Sequence, residues 1–310
     1  MEKFIILPDV TCDLSVELRE RFGVEDYIPG YVQINGESLT TTLDWENISR
    51  EDFYKTLENK KNRVTSAAPN PEDYYNAFKK YVEQGYAVLS ISISSKISAT
   101  LNFAKLGAEK VKEEFPDCNI YCFDSLRMSG AMGLLVIYAC LLQQQGKTFE
   151  EVIAFLEENK HKVHQMGPID DLTFIARRGK ISKGKAIMGN LIGIKPMGDC
   201  NADGYVTVLA KVKGIKKALV ATAKYLQRVA VDLENQYVFI SHSNRNELAT
   251  TLANLVKEQV KCKDVLVCDV FSGCGTNIGP GMVGLYFLGE PVTADSTKEK
   301  ETLTACIEEC

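Results

Sequence analysis

Several absences narrow the field before any residue is given a role. No apolar run approaches the roughly 18 residues that a membrane span requires, and no block of lysine and arginine reaches the length of a nucleic-acid-binding arm. No Cys-x-x-Cys pair occurs, and the three histidines (161, 164 and 242) show no zinc-type spacing to the ten cysteines. No structural metal is therefore expected. Neither a Gly-x-Ser-x-Gly elbow nor a His-Glu-x-x-His helix is present, so no catalytic residue is assigned. The apolar run from Phe4 to Leu7 stops at Pro8-Asp9, too short for a signal-peptide core. A cytoplasmic protein is expected, with most cysteines serving as small core residues.

What is there is globular. Hydrophobic residues make up 45% and charged residues 25%, which excludes a disordered or collagen-like chain. The net charge of −5 disfavours a polyanionic partner, and 310 residues leave room for two cores.

The first two-thirds alternates strand and helix signals: strand Phe4–Leu7, a helix from Thr11 through Phe22, strand Tyr86–Ile93, a helix from about Ser98, strand Ile120–Phe123 and an apolar helix from Ser129 to Gln145. Asn35-Gly36 marks a hairpin. Asn70 caps a helix that Pro71 opens and Gly85 ends. Thr148 with Glu151 forms a capping box for a helix reaching about His164, placing His161 and His164 together at the surface. This alternation predicts a parallel, doubly wound sheet whose ligands sit beyond the carboxyl ends of its strands. Those ends are Asp9-Val10-Thr11, Ser94-Ser95 and Asp124-Ser125.

Gly167-Pro168 is read as a boundary. Beyond it come strands near Leu172–Ile175 and Ile192–Pro196, a turn at Asp203-Gly204 and a strand to Ala210. A helix from Gly214 to Val229 follows, then strands Tyr237–Ser241 and Asp264–Asp269 flanking a helix from Asn244 to Val260. A glycine-rich loop precedes a last strand, Val283–Leu288. His242 is placed in a loop. The connections predict a mixed sheet with helices. Residues after Gly289 read as polar and weakly structured. The expected division is 1–166, 167–290 and a tail, 291–310.

Three segments could carry chemistry. Gly179-Lys180-Ile181-Ser182-Lys183-Gly184-Lys185-Ala186 matches the P-loop spacing except that Ala186 replaces the magnesium-binding hydroxyl. It reads either as a basic turn or as the nucleotide loop of an ATP-dependent enzyme, with Val265–Asp269 as its acidic strand. Gly273-Cys274-Gly275-Thr276-Asn277-Ile278-Gly279-Pro280-Gly281 would let backbone approach an anion closely, with Pro280 opening a short helix. The third is a set of hydroxyls: Thr65 and Ser66 before one helix, and Ser94, Ser95 and Ser98 before the next. Ser98 stands where a helix N-terminus is expected. Its hydroxyl either caps that helix or joins the free N–H groups there in holding a carboxylate.

Taken in order, these segments resemble the DegV family of fatty-acid-binding proteins. Asp9-Val10-Thr11-Cys12-Asp13-Leu14 is similar to the family's D-S-T-x-D-L, and Thr65-Ser66 with Pro69-Asn70-Pro71 to its T-S-x-P. Ser92-Ile93-Ser94-Ser95-Lys96-Ile97-Ser98-Ala99-Thr100 resembles I-S-S-K-L-S-G-T. Asp124-Ser125 with Met132-Gly133-Leu134-Leu135 resembles D-S…G-L-L. Arg178-Gly179-Lys180-Ile181-Ser182, Gly189-Asn190-Leu191 and Ile194-Lys195-Pro196 resemble G-G-R-I-S…G-N-L…I-K-P, and Gly279-Pro280-Gly281 the terminal G-P-G.

The resemblance implies an N-terminal three-layer α/β/α domain with a parallel sheet and a C-terminal two-layer α/β domain with a mixed sheet. One long-chain fatty acid, such as palmitate, would lie between them, with no other cofactor. It implies a binding or carrier protein for lipid transport or fatty acid metabolism, not an enzyme. Its expected partner is a separate ATP-dependent fatty acid kinase, to which it presents the acyl carboxylate. Nucleic acid and stable membrane insertion are not expected. The carboxylate-binding hydroxyls fall on Thr65 and Ser98, with Ser66, Ser95, Lys180 and Asn277 as further pocket residues. The sequence departs from the family at Val10 (serine there), Lys180 (arginine) and Asn277 (histidine). Lys180 loses the bidentate fork of arginine, and Asn277 donates without carrying charge.

Overall fold

The computed structural model describes residues 3–170, 172–177 and 193–310. In chain order its strands and helices are β1 (Phe4–Pro8), α1 (Val16–Phe22), β2 (Tyr31–Ile34), β3 (Glu37–Thr40), α2 (Arg50–Glu58), β4 (Val64–Ala67), α3 (Pro71–Val82), β5 (Ala87–Ser92), α4 (Thr100–Glu114), β6 (Ile120–Asp124), α5 (Ser129–Gln144) and α6 (Phe149–Asn159). They continue with β7 (Val163–Pro168), α7 (Thr173–Arg177), β8 (Ile194–Cys200), β9 (Val206–Lys213), α8 (Ile215–Val229), β10 (Tyr237–His242), α9 (Asn246–Gln259), β11 (Asp264–Asp269), α10 (Ser272–Ile278), β12 (Val283–Leu288) and α11 (Thr297–Glu308).

Strands β1, β5 and β6 form a parallel sheet in the order β1-β5-β6, with Ile6 opposite Leu89 and Leu89 opposite Tyr121. Both faces are covered, which is why its strands are almost continuously apolar. Helices α3 and α4 bury Tyr74, Phe78, Ala104 and Val111 against Ile5, Leu7 and Val88 on one side. Helix α5 packs Met132, Leu135 and Ala139 into the core on the other, with Ile6, Leu89 and Phe123. The cap read at Asn70 and the capping box read at Thr148 with Glu151 are both formed, and Asp73 completes a box at Asn70 as well.

A second, mixed sheet runs β11-β10-β12-β7-β8-β9. Helices α8 and α9 bury Leu219, Tyr225, Leu226, Leu252 and Val256 on its outer face, with Val238, Ile240 and Phe287. Its inner face meets α5, whose core also takes in Phe239 and Tyr286. Helix α5 therefore lies between two sheets. Only such a site allows a helix to be apolar all round, and residues from Ser129 to Ile137 are all buried. A third, antiparallel sheet, β3-β2-β4, packs beside α2 and α10.

Gly133 shows how close this packing is. A Cβ there would lie 2.4 Å from the carbonyl oxygen of Cys12 and 3.0 Å from Cε1 of Phe239. Gly133→Ala is expected to cost about 2 kcal/mol in denaturant unfolding, because the backbone clash outweighs a helix-propensity gain of about 1 kcal/mol. A variant as stable as the parent would show that α5 has slack.

Several expectations from the sequence are corrected. Leu172–Ile175 is not a strand: α7 occupies 173–177, and the buried pair Leu172 and Ile175 has the i,i+3 spacing of a helix. The helix opened by Thr148 ends at Asn159, and His164 lies in β7, buried between Asp199 (Nδ1 to Oδ2, 3.0 Å) and the carbonyl of Glu290 (Nε2, 2.8 Å). His242 ends β10 and is also buried. Residues 163–166 already belong to the second sheet, so the division at 166 cuts β7. The stretch 272–278 is a helix rather than an open glycine loop; a Cβ on Gly275 would meet Phe53 at 2.9 Å and Tyr54 at 3.0 Å. The tail is ordered too: α11 buries Leu303 and Cys306, one turn apart, against α8.

Candidate functional site

The carboxyl ends of β1 and β5 are tied together by one carboxylate. Asp9 Oδ1 accepts the N–H of Thr11 at 2.8 Å and the Thr11 hydroxyl, while Oδ2 accepts the N–H of Ile93 at 2.8 Å. Burial raises the Asp9 pKa, and those hydrogen bonds oppose the rise only in part. Asp13 stands in the left-handed region (φ 50°). Its Oδ2 accepts from Ser129 Oγ at 2.6 Å and its Oδ1 from the N–H of Phe271 at 2.8 Å. Burial pushes its pKa up to about 8. Asp13 thus joins the loop after β1 to the start of α5 and to the loop between β11 and α10.

Above this floor opens a cavity of about 390 Å³, within the size range of small-molecule sites. Its polar wall is assembled from distant parts of the chain: Thr11, Ser66 of β4, Ser98, Thr100 of α4 and Asn277 of α10. Asn277 Nδ2 donates to Ser66 Oγ at 2.9 Å, closing the wall between β4 and α10. Ser98 Oγ lies 2.7 Å from Thr100 Oγ1 and accepts the Thr100 N–H at 3.3 Å. Ala99, at the cap position of α4, makes no side-chain cap. The Ser98 hydroxyl therefore serves the helix start and also faces the cavity.

A narrower slot of about 50 Å³ shares Met128, Ile175, Val206 and Ile278 with the cavity. Leu172, Met197, Val208, Met282 and Tyr286 line it further in, between α7 and the second sheet. A chamber with a hydroxyl-rich wall on one side and an apolar slot beside it suits an amphiphile: the polar wall can receive a small anion and the apolar surfaces a hydrocarbon chain.

The residues singled out from sequence divide accordingly. Ser66, Ser98 and Asn277 line the same cavity. Thr65 is not part of the lining; in a strand neighbouring side chains point to opposite faces, and Ser66 holds the cavity side. Ser95 is exposed outside the cavity, its N–H bound to Asp124 Oδ1 at 3.1 Å. Lys180 and the whole Gly179–Ala186 loop lie outside the described residues. Asp269, the acidic end of the suggested nucleotide strand, is engaged by Arg50 (3.2 Å) and the Trp45 indole (2.9 Å). Sequence reasoning missed Thr100 and the slot residues. Thr100 carried a signal, since it directly follows the hydroxyl cluster. Ile175 and Val206 carried none, because apolar slot residues read as core. Among the described residues no group of three or more His, Cys, Asp or Glu side chains could hold a metal ion, and no helix is long and apolar enough to cross a membrane.

Comparison with known proteins gives a consistent result. A family model described as uncharacterised protein, DegV family, matches residues 3–290. A DegV domain-containing protein of Clostridium perfringens is 32% identical over 290 residues, covering 94% of this chain and 99% of that protein. A solved DegV family protein of Thermus thermophilus, described for its fatty acid binding, is 26% identical with a TM-score of 0.83, covering 93% of this chain and 99% of that one. A DegV lipid-binding protein of Thermotoga maritima is 26% identical with a TM-score of 0.81, covering 94% and 100%.

Proposed function

This chain belongs to the DegV family, and from that premise we propose that it binds one long-chain fatty acid, its carboxylate at the polar wall of the cavity and its hydrocarbon filling the rest of that cavity and reaching the slot. The observation that carries this reading is the wall that the two spaces share, formed by Met128, Ile175, Val206 and Ile278. Burying a dozen methylenes at about 0.8 kcal/mol each contributes roughly 10 kcal/mol before ordering costs. Desolvating the carboxylate opposes this unless several donors receive it. Ser66, Ser98 and Asn277 are the donors we assign, with Ser66 taking the part that resemblance gave to Thr65.

We read the protein as a carrier, with chemistry left to a partner. Ser66 is exposed and Ser98 half-buried, so a carboxylate held between them would remain within reach of a second protein such as an ATP-dependent fatty acid kinase. A cytoplasmic location agrees with that task. The test is native mass spectrometry of the purified protein, followed by organic extraction. A mass excess of one fatty acid, recovered in the extract, is expected. A bare protein whose mass stays unshifted with added palmitate or oleate would overturn the reading.

A further inference from the structure

The inner wall of the slot carries one polar group that no hydrocarbon can satisfy. Gln165 of β7 stands directly opposite Tyr286 of β12 in the antiparallel ladder, and both line the slot. The other polar groups there are engaged. Tyr286 Oη lies 2.7 Å from Ser241 Oγ, and Ser129 Oγ donates to Asp13. Gln165 Oε1, in contrast, is buried and has no hydrogen-bond partner among the described residues. A buried amide oxygen without a donor is costly and rare in folded proteins. Gln165 itself contributes to the lining of the slot, which exceeds the 10–15 Å³ or so that a single water needs.

We propose that the slot is adapted to an acyl chain bearing a hydroxyl group remote from its carboxylate, and that this hydroxyl hydrogen-bonds the Gln165 amide. The inference rests on the fatty-acid reading above and deepens it by naming the ligand class. A hydroxyl suits the site in either orientation of the amide, because it both donates and accepts. An unsubstituted chain seals the slot with the amide oxygen unpaired. A hydroxylated chain also carries a polar group that must be desolvated, so its preference depends on meeting Gln165.

The experiment compares stearate with a set of monohydroxystearates that differ in hydroxyl position, titrated into delipidated protein. At least one hydroxystearate is expected to bind about tenfold tighter than stearate. Gln165→Leu, with its melting temperature checked, is expected to reverse that order by tightening stearate and weakening the hydroxylated ligand. If stearate binds wild-type protein as well as or better than every hydroxystearate, the inference is overturned while fatty-acid binding stands, and a water on Gln165 is the simpler occupant. If neither class binds, the fatty-acid reading itself fails. The wild-type comparison decides the matter even if the variant does not fold.

Discussion

Replacing Ser66 and Ser98 together by alanine is expected to weaken fatty-acid binding by about 100-fold. Hydrogen bonds to a charged group are worth about 1.5–3 kcal/mol each, the lower end applying to a carboxylate within reach of solvent, and about 1.4 kcal/mol is a tenfold change in affinity. Losing both hydroxyls should thus cost at least two decades, tempered because Asn277 and the first-turn N–H groups of α4 remain. Thr65→Ala is the matched control, since Thr65 lies one residue away and outside the lining. Displacement of a fluorescent fatty acid from the delipidated variants reads the effect, with melting curves to verify folding. A double variant within threefold of wild type, or an equal loss in Thr65→Ala, would remove these serines from the carboxylate site.

Asp13→Ala should destabilise the protein by about 3 kcal/mol, because Ser129 Oγ and the Phe271 N–H both lose their buried acceptor. Asp13→Asn should cost far less. An asparagine can accept from Phe271 through its oxygen and donate through its nitrogen to Ser129 Oγ, which then turns its own hydrogen toward Ser241 Oγ at 3.2 Å; protonation of Asp13 reverses the Ser129 bond in the same way. The pH dependence separates the two forms. The folded pKa of about 8 lies above an unfolded value of about 3.9. Between these values the folded chain holds a proton that the unfolded chain has released. Stability from this group is therefore complete below about pH 4 and falls as pH rises toward 8, by at most about 1.4 kcal/mol per unit. Asp9 is raised in the same direction. Melting temperatures from pH 5 to 9 should show wild type losing ground against Asp13→Asn. A constant difference between the two would refute the protonated carboxyl.

Legibility from sequence followed the range of the interactions involved. β1, β5 and β6 were readable because a strand buried on both faces is a short apolar run. The starts of α3 and α6 were readable because Asn70 and Thr148 act on N–H groups two or three residues away. α7 and α11 were not. A brief apolar run does not tell strand from helix, and α11 shows its buried pair only once α8 is beside it. At the cavity, Ser98 of the hydroxyls after β5 lies where topology placed it, whereas Ser95 is outside the lining and Ser94 is bound to the carbonyl of Gly204. The choice between Thr65 and Ser66 was not readable, since one residue of strand register exchanges the two faces. The slot was invisible because it forms only where α7 and the β8–β9 hairpin meet β7 and β12, which pair with each other across more than a hundred residues.

The position of α5 bears on how the chain comes apart. The parallel sheet and the mixed sheet each have a core of their own on the outer face, but both complete the inner face with the same helix. Cutting the chain between α6 and β7 would leave the C-terminal fragment with Phe239 and Tyr286 facing water. The N-terminal fragment would keep α5 with one flank bare. The helix acts as a shared keel, and the two sheets are coupled in folding as well as in forming the cavity between them.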